Sequence, residues 1–133
     1  MPDTIEAPPR TRFPVRLNPR VNRDFVISLK KRMVLAQNDT GVLREVSIHI
    51  RYVPDRLIAD IPQMAAYFSS FAMENGTGIE ECANIIAEDF SNELIPRWIS
   101  VSLSCSVDGI ELSAQVQDKQ PLWDNPALMR CPD

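Results

Sequence analysis

Tyr52-Val53-Pro54-Asp55-Arg56-Leu57 opens the stretch whose reading decides the fold, and Pro96-Arg97-Trp98 closes it. Before the Pro54-Asp55 turn, Val46, Ile48, Ile50 and Tyr52 alternate with Ser47, His49 and Arg51, the period of a strand with one buried face. Between the turn and Pro96 the spacing predicts two helices, parted by Glu74-Asn75-Gly76-Thr77-Gly78. The first starts near Asp60-Ile61-Pro62-Gln63, where Asp is a good N-cap, Gln follows three residues on, and Pro is tolerated in a first turn. Met64, Phe68, Phe71 and Ala72 share one face of it, and Asn75-Gly76 supplies its stop. The second begins at Thr77-Gly78-Ile79-Glu80, a capping-box pattern. Its apolar stripe is Ile79, Cys82, Ala83, Ile86, Phe90 and Leu94, so Cys82 reads as a small core hydrophobe and not a nucleophile. Glu81, Glu88, Asn92 and Glu93 form its wet face.

Downstream, Ile99, Val101, Leu103, Cys105 and Val107 alternate with Ser100, Ser102, Ser104 and Ser106. One face of this strand belongs under the helices, and the other is small and hydroxylated. Asp108-Gly109 is a hairpin turn of the primed type. Ile110, Leu112, Ala114 and Val116 continue the apolar face on the last strand. Residues 118–133 read as an irregular tail with Trp123 as its anchor. Upstream, residues 22–34 form a half-buried strand whose Lys30-Lys31-Arg32 mark its solvated end, and Asn38-Asp39-Thr40-Gly41 is a turn. Residues 1–20 interleave five prolines with Arg10, Arg12, Arg16 and Arg20, and read as an extended arm, either a disordered tail or a strap across a neighbouring subunit.

The resulting class is α+β in the order β-β-α-α-β-β: one domain over residues 21–117, with four antiparallel strands, two helices on one face and a polar second face. Such a sheet has unpaired edges. Pairing between copies would close a barrel with the serine row in its lumen; a monomer would leave that row facing solvent. The formal net charge of −4 argues against a nucleic-acid partner, which calls for a basic face. No apolar run reaches the roughly 18 residues of a membrane span, and the polar, Pro-rich start has no signal-peptide core, so a cytoplasmic location is expected. Cys82, Cys105 and Cys131 lack C-x-x-C spacing, which fits reduced thiols and offers no metal site.

Arg51-Tyr52-Val53-Pro54-Asp55, Tyr67 to Phe71, Glu80-Glu81-Cys82-Ala83-Asn84-Ile85-Ile86 and Pro96-Arg97-Trp98 resemble the cyano-deazaguanine nitrile reductases of queuosine biosynthesis. That family belongs to the tunnelling fold, with the GTP cyclohydrolases and pyruvoyl-tetrahydropterin synthases. The resemblance implies a homo-oligomer of subunits closing a barrel, with purine- or pterin-like ligands bound between them. It implies that Glu80, at the start of the second helix, anchors the ligand's amidine-like edge, since a carboxylate accepts two N–H bonds with charge assistance. On the residues alone, Glu80 is equally the partner of Thr77 in the capping box.

The reductase pattern Cys-Pro-x-Thr-Gly-Gln-Pro-Asp falls on Gln37-Asn38-Asp39-Thr40-Gly41-Val42-Leu43-Arg44. Gln37 stands in the nucleophile's place and Arg44 in the acid's, and glutamine cannot form the thioimide of that chemistry. Ile79 replaces the family's histidine. The NADPH-binding Glu-Ser-Lys-Ser-x-Lys falls on Asp60-Ile61-Pro62-Gln63-Met64-Ala65, so NADPH is not expected as a cofactor. Three functions follow as expectations: a heterocycle-binding protein without nitrile reduction, a structural partner subunit, or a divergent reductase. Gln37, Asp39, Arg44 and His49 are the polar candidates for any proton transfer, although His49 by itself is an ordinary surface or interface residue.

Overall fold

The computed structural model describes residues 13–36, 43–72 and 78–130. β1 (Val15–Leu17) is short; β2 (Ile27–Ala36) and β3 (Leu43–Val53) pair antiparallel, and β4 (Leu57–Ala59) pairs with β1. A 3₁₀ turn at Ile61–Gln63 leads into α1 (Met64–Ala72), followed by α2 (Ile79–Leu94). β5 (Trp98–Val107) and β6 (Ile110–Lys119) form a hairpin, and α3 (Pro126–Met129) is a single turn. The main sheet runs β2-β3-β5-β6, antiparallel throughout, with β2 and β6 at its edges. This is the α+β, ββααββ arrangement expected from the alternation of residues 46–52 and 99–107.

The core is where those alternations meet α2. Val46, Ile48 and Ile50 of β3 and Ile99, Val101 and Leu103 of β5 are buried against Cys82, Ala83, Ile86, Phe90 and Leu94. Tyr52 is 0% exposed, and its hydroxyl accepts the Ala59 N–H at 3.0 Å. Burial pushes the Tyr52 phenol up, against smaller lowering effects of that hydrogen bond and of Arg16. Phe13 closes the aromatic cluster, edge-on to Tyr67 at 5.0 Å and to Phe90 at 4.9 Å.

Several expected boundaries shift. The arm drawn as residues 1–20 is part of the fold from Phe13 onward, because Phe13 enters the core and β1 is tied to β4, with Asp60 N–H donating to Pro14 O at 3.0 Å. Residues 1–12 lie outside the described residues. The first long strand starts at Ile27, not residue 22, since Val21 and Arg23 turn their carbonyls to the Arg97 guanidinium. Lys30-Lys31-Arg32 lie in the middle of β2, not at its end; an edge strand keeps such side chains in water. β6 runs to Lys119, beyond residue 117, and the tail gains α3, capped by Asn125 Oδ1 on the Leu128 N–H. Asp108 (φ 51°) and Gly109 (φ 83°) make the type I′ hairpin turn.

Candidate functional site

α2 starts one residue later than the capping box requires. Gly78 is the N-cap, its carbonyl taking the Cys82 N–H at 3.0 Å, with no side-chain cap hydrogen bond. Thr77 lies outside the described residues. Glu80 is therefore the second helical residue, and its carboxylate is exposed. The side chain folds back over Gly78, where an added Cβ would collide with Glu80 Oε1. Asn84 Nδ2 donates to the Glu80 carbonyl at 2.9 Å and fixes the first turn. A helix N-terminus favours this negative charge.

His49 is on the opposite side of the sheet. Register sets Lys30, His49, Ser102 and Gln115 in one cross-strand row of the open face, and Arg32, Ser47, Ser104 and Ser113 in the next. Ser28 Oγ and His49 Nε2 are 2.9 Å apart, which orients the ring. Arg51 lies over the Trp98 ring at 5.7 Å from its centroid. One protomer thus leaves Glu80 and His49 on different faces. Gln37 and Asp39 lie outside the described residues, and of Arg44 only the backbone, in β3, is described.

At the start of α1 the Gln63 amide donates to the Asp60 carboxylate at 3.1 Å, and no cation stands in Asp60–Ala65. Pro62 and Ala65 stand where the NADPH-binding pattern has its two lysines, so this turn offers no cation to a dinucleotide phosphate. Among the described residues, no three His, Cys, Asp or Glu side chains are grouped to hold a metal, and no helix is long and apolar enough to cross a membrane.

Sequence reasoning missed a polar knot that joins both ends of the 52–98 stretch. Arg97 donates to Asp24 Oδ1 at 2.9 Å, to Asp55 Oδ1 at 3.2 Å and to Val21 O at 2.6 Å. Gln120 donates to Asp55 Oδ2 at 3.1 Å, and Asn18 Nδ2 to Asp55 O at 2.7 Å. Trp123 Nε1 and Asn125 Nδ2 both donate to Asp24 Oδ2 at 3.1 Å, which is how Trp123 holds the tail. Burial, the largest single influence on Asp24, raises its pKa, yet hydrogen bonds from Asn125, Trp123 and Arg97 together hold it below the ordinary 3.8. The only advance signal was the Pro-Asp and Pro-Arg-Trp wording itself, because the partners are 73 residues apart in the chain.

A sequence profile described as QueF-like protein matches residues 46–121, more than half of the chain. The chain belongs to the QueF-like family. The matched span contains the Tyr52–Asp55 turn, the α2 start with Glu80 and the Arg97 knot, and it begins after the Gln37–Arg44 register. A curated relative, "NADPH-dependent 7-cyano-7-deazaguanine reductase" of Syntrophus aciditrophicus, is 28% identical over 123 residues, covering 91% of this chain and 87% of its own. A protein of that name from Anaeromyxobacter sp. is 32% identical over 93 residues, covering 69% and 75%. In Bacillus subtilis another is 31% identical over 101 residues, covering 75% and 56%. Among solved structures, the apo archaeosine synthase QueF-Like superposes with TM-score 0.57 at 14% identity, over 71% of this chain and 94% of that one. That likeness shows the tunnel fold.

Proposed function

We propose that this protein binds a purine- or pterin-like heterocycle through the Glu80 carboxylate, at an interface between copies, and does not reduce nitriles. The observation that carries the reading is the placement of Glu80. Glu80 is the second residue of α2 and is exposed, which leaves its carboxylate within reach of a ligand. A guanine-type edge offers two parallel N–H donors, and a carboxylate is the acceptor that takes both with charge assistance. The relatives' names point to deazaguanines as the ligand class. The absence of reduction rests on chemistry: Gln37, in the nucleophile's register, presents an amide that does not add to a nitrile, and the start of α1 lacks a cation for NADPH.

The relatives' name also supports a divergent reductase, and turnover assays separate that reading from ours. Binding is tested by calorimetry with 7-deazaguanine, guanine and pterin on the wild type and Glu80→Gln. At least one compound is expected to bind, and Glu80→Gln is expected to weaken it by about 1–3 kcal/mol, the scale of a hydrogen bond to a charged group. Unchanged affinity in Glu80→Gln would remove the anchor.

A further inference from the structure

β2 is an edge strand with three consecutive exposed cations, Lys30, Lys31 and Arg32. Register sets Lys31 beside Ile48, on the helix-covered side of the sheet. Lys30 and Arg32 sit on the other face. They lie opposite His49 and Ser47 of β3, which lie opposite Ser102 and Ser104 of β5. A shallow concavity over these side chains, bordered also by Lys31 and Ile48 where the strands run beneath it, has no carboxylate in its lining. Among the described residues neither Lys30 nor Arg32 has an ion-pair partner. The carboxylates of this face, Glu45 and Glu111, line an adjoining concavity toward the β5–β6 hairpin, which shares Ser47 and Ser104 with the basic one. In a chain of formal net charge −4, the open face is thus divided into a basic and an acidic part.

Two cations on alternate residues of one strand are about 7 Å apart at their Cα atoms, and the three strands span about 10 Å. A phosphoryl group fits between such side chains. The Arg32 guanidinium presents a planar fork, the Lys30 ammonium a point charge, and serine hydroxyls donate to the remaining oxygens. The field of the two cations favours an anion over water, and Glu45, diagonal to Arg32 across the β2–β3 pair, limits it toward the hairpin end. We propose that this patch is a binding site for a phosphoryl anion, held by Lys30 and Arg32 with the hydroxyls of Ser47, Ser102 and Ser104. It lies across the sheet from Glu80 and stands independently of the heterocycle proposal.

The test is calorimetric titration of the full chain with inorganic pyrophosphate at low salt. Lys30→Gln, Lys31→Gln and Arg32→Gln each remove one charge from the same strand, but only Lys31 faces the helices. Saturable binding is expected, weakened about fivefold or more by Lys30→Gln and by Arg32→Gln, and changed less than about twofold by Lys31→Gln. Equal weakening by all three would mean attraction to a basic edge and would overturn the site, as would no saturable binding up to about 10 mM. Ribose 5-phosphate and ribose, which lack a guanine-type edge, form a second arm. Binding of the phosphate ester but not the sugar assigns the site to a phosphate ester; binding of pyrophosphate alone assigns it to the free anion. Retention of the wild-type melting temperature, and rescue of binding by Lys30→Arg, separate loss of the site from loss of the fold.

Discussion

Ile95 ends α2 at φ 46° and ψ 59°, a left-handed backbone on a β-branched residue. Pro96 explains why the helix stops there, because a residue before proline is disfavoured in the right-handed helical region, and the left-handed turn keeps the Ile95 N–H on Ser91 O. The side chain is 63% exposed, so it returns little burial for the strain. Ile95→Gly is expected to stabilise the protein by up to about 1 kcal/mol, after the entropy cost of glycine, as read by urea denaturation. Tyr52 is the converse case, a residue whose one polar atom is needed. Tyr52→Phe keeps the ring but leaves the Ala59 N–H without its acceptor, and a loss of about 1–3 kcal/mol is expected in the same measurement. Glu80 shows where local reading fails. Thr77 and Gly78 are both good caps, and sequence cannot choose between neighbours that differ by a few tenths of a kcal/mol. The structure chooses Gly78, and that makes Glu80 the second helical residue and not the third.

The strands and helices were legible because each carries its own period: serine alternation for β5, the Ile79–Leu94 stripe for α2, Asp108-Gly109 for the hairpin. The knot was not legible, because its parts come from the β1–β2 connection, the Pro54-Asp55 turn, the start of β5 and the tail. Its polar groups are largely shielded, the Arg97 side chain being 17% exposed. Arg97→Ala strips several carbonyl and carboxylate groups of their donor and is expected to cost about 2–3 kcal/mol in denaturant unfolding. The Asp24 carboxyl lies below 3.8 in the fold, so its contribution is present above the unfolded value and is lost as pH falls through the lower folded value. The stability difference between wild type and Asp24→Asn should be constant above about pH 5 and shrink below about pH 4. A difference that instead grows on acidification would contradict this assignment.

At the scale of the whole molecule, the sheet leaves two ten-residue edges, β2 and β6, and an open face of serine, glutamine and basic side chains. Rotating one copy about an axis along the strands brings β6 beside the next copy's β2 in antiparallel sense, the pairing a closed barrel needs. Light scattering at micromolar concentration is expected to give a multiple of the 15.0 kDa chain, and a mass near the single chain would remove the barrel. Assembly would also be the means of bringing Glu80 of one copy near the open face of another, since one protomer keeps them apart. Sequence reached the class of this architecture through its periodicity and motifs, but register decided which side of the sheet each cation occupies. The central claim, heterocycle binding without nitrile reduction, meets its most direct test in one sample given 7-cyano-7-deazaguanine and NADPH, followed by calorimetry and by absorbance of the reduced nicotinamide. Saturable binding of the deazaguanine with no NADPH oxidation above the uncatalysed rate is the predicted result. Steady NADPH oxidation that depends on the deazaguanine and disappears on substitution of Cys82, Cys105 or Cys131 would contradict it.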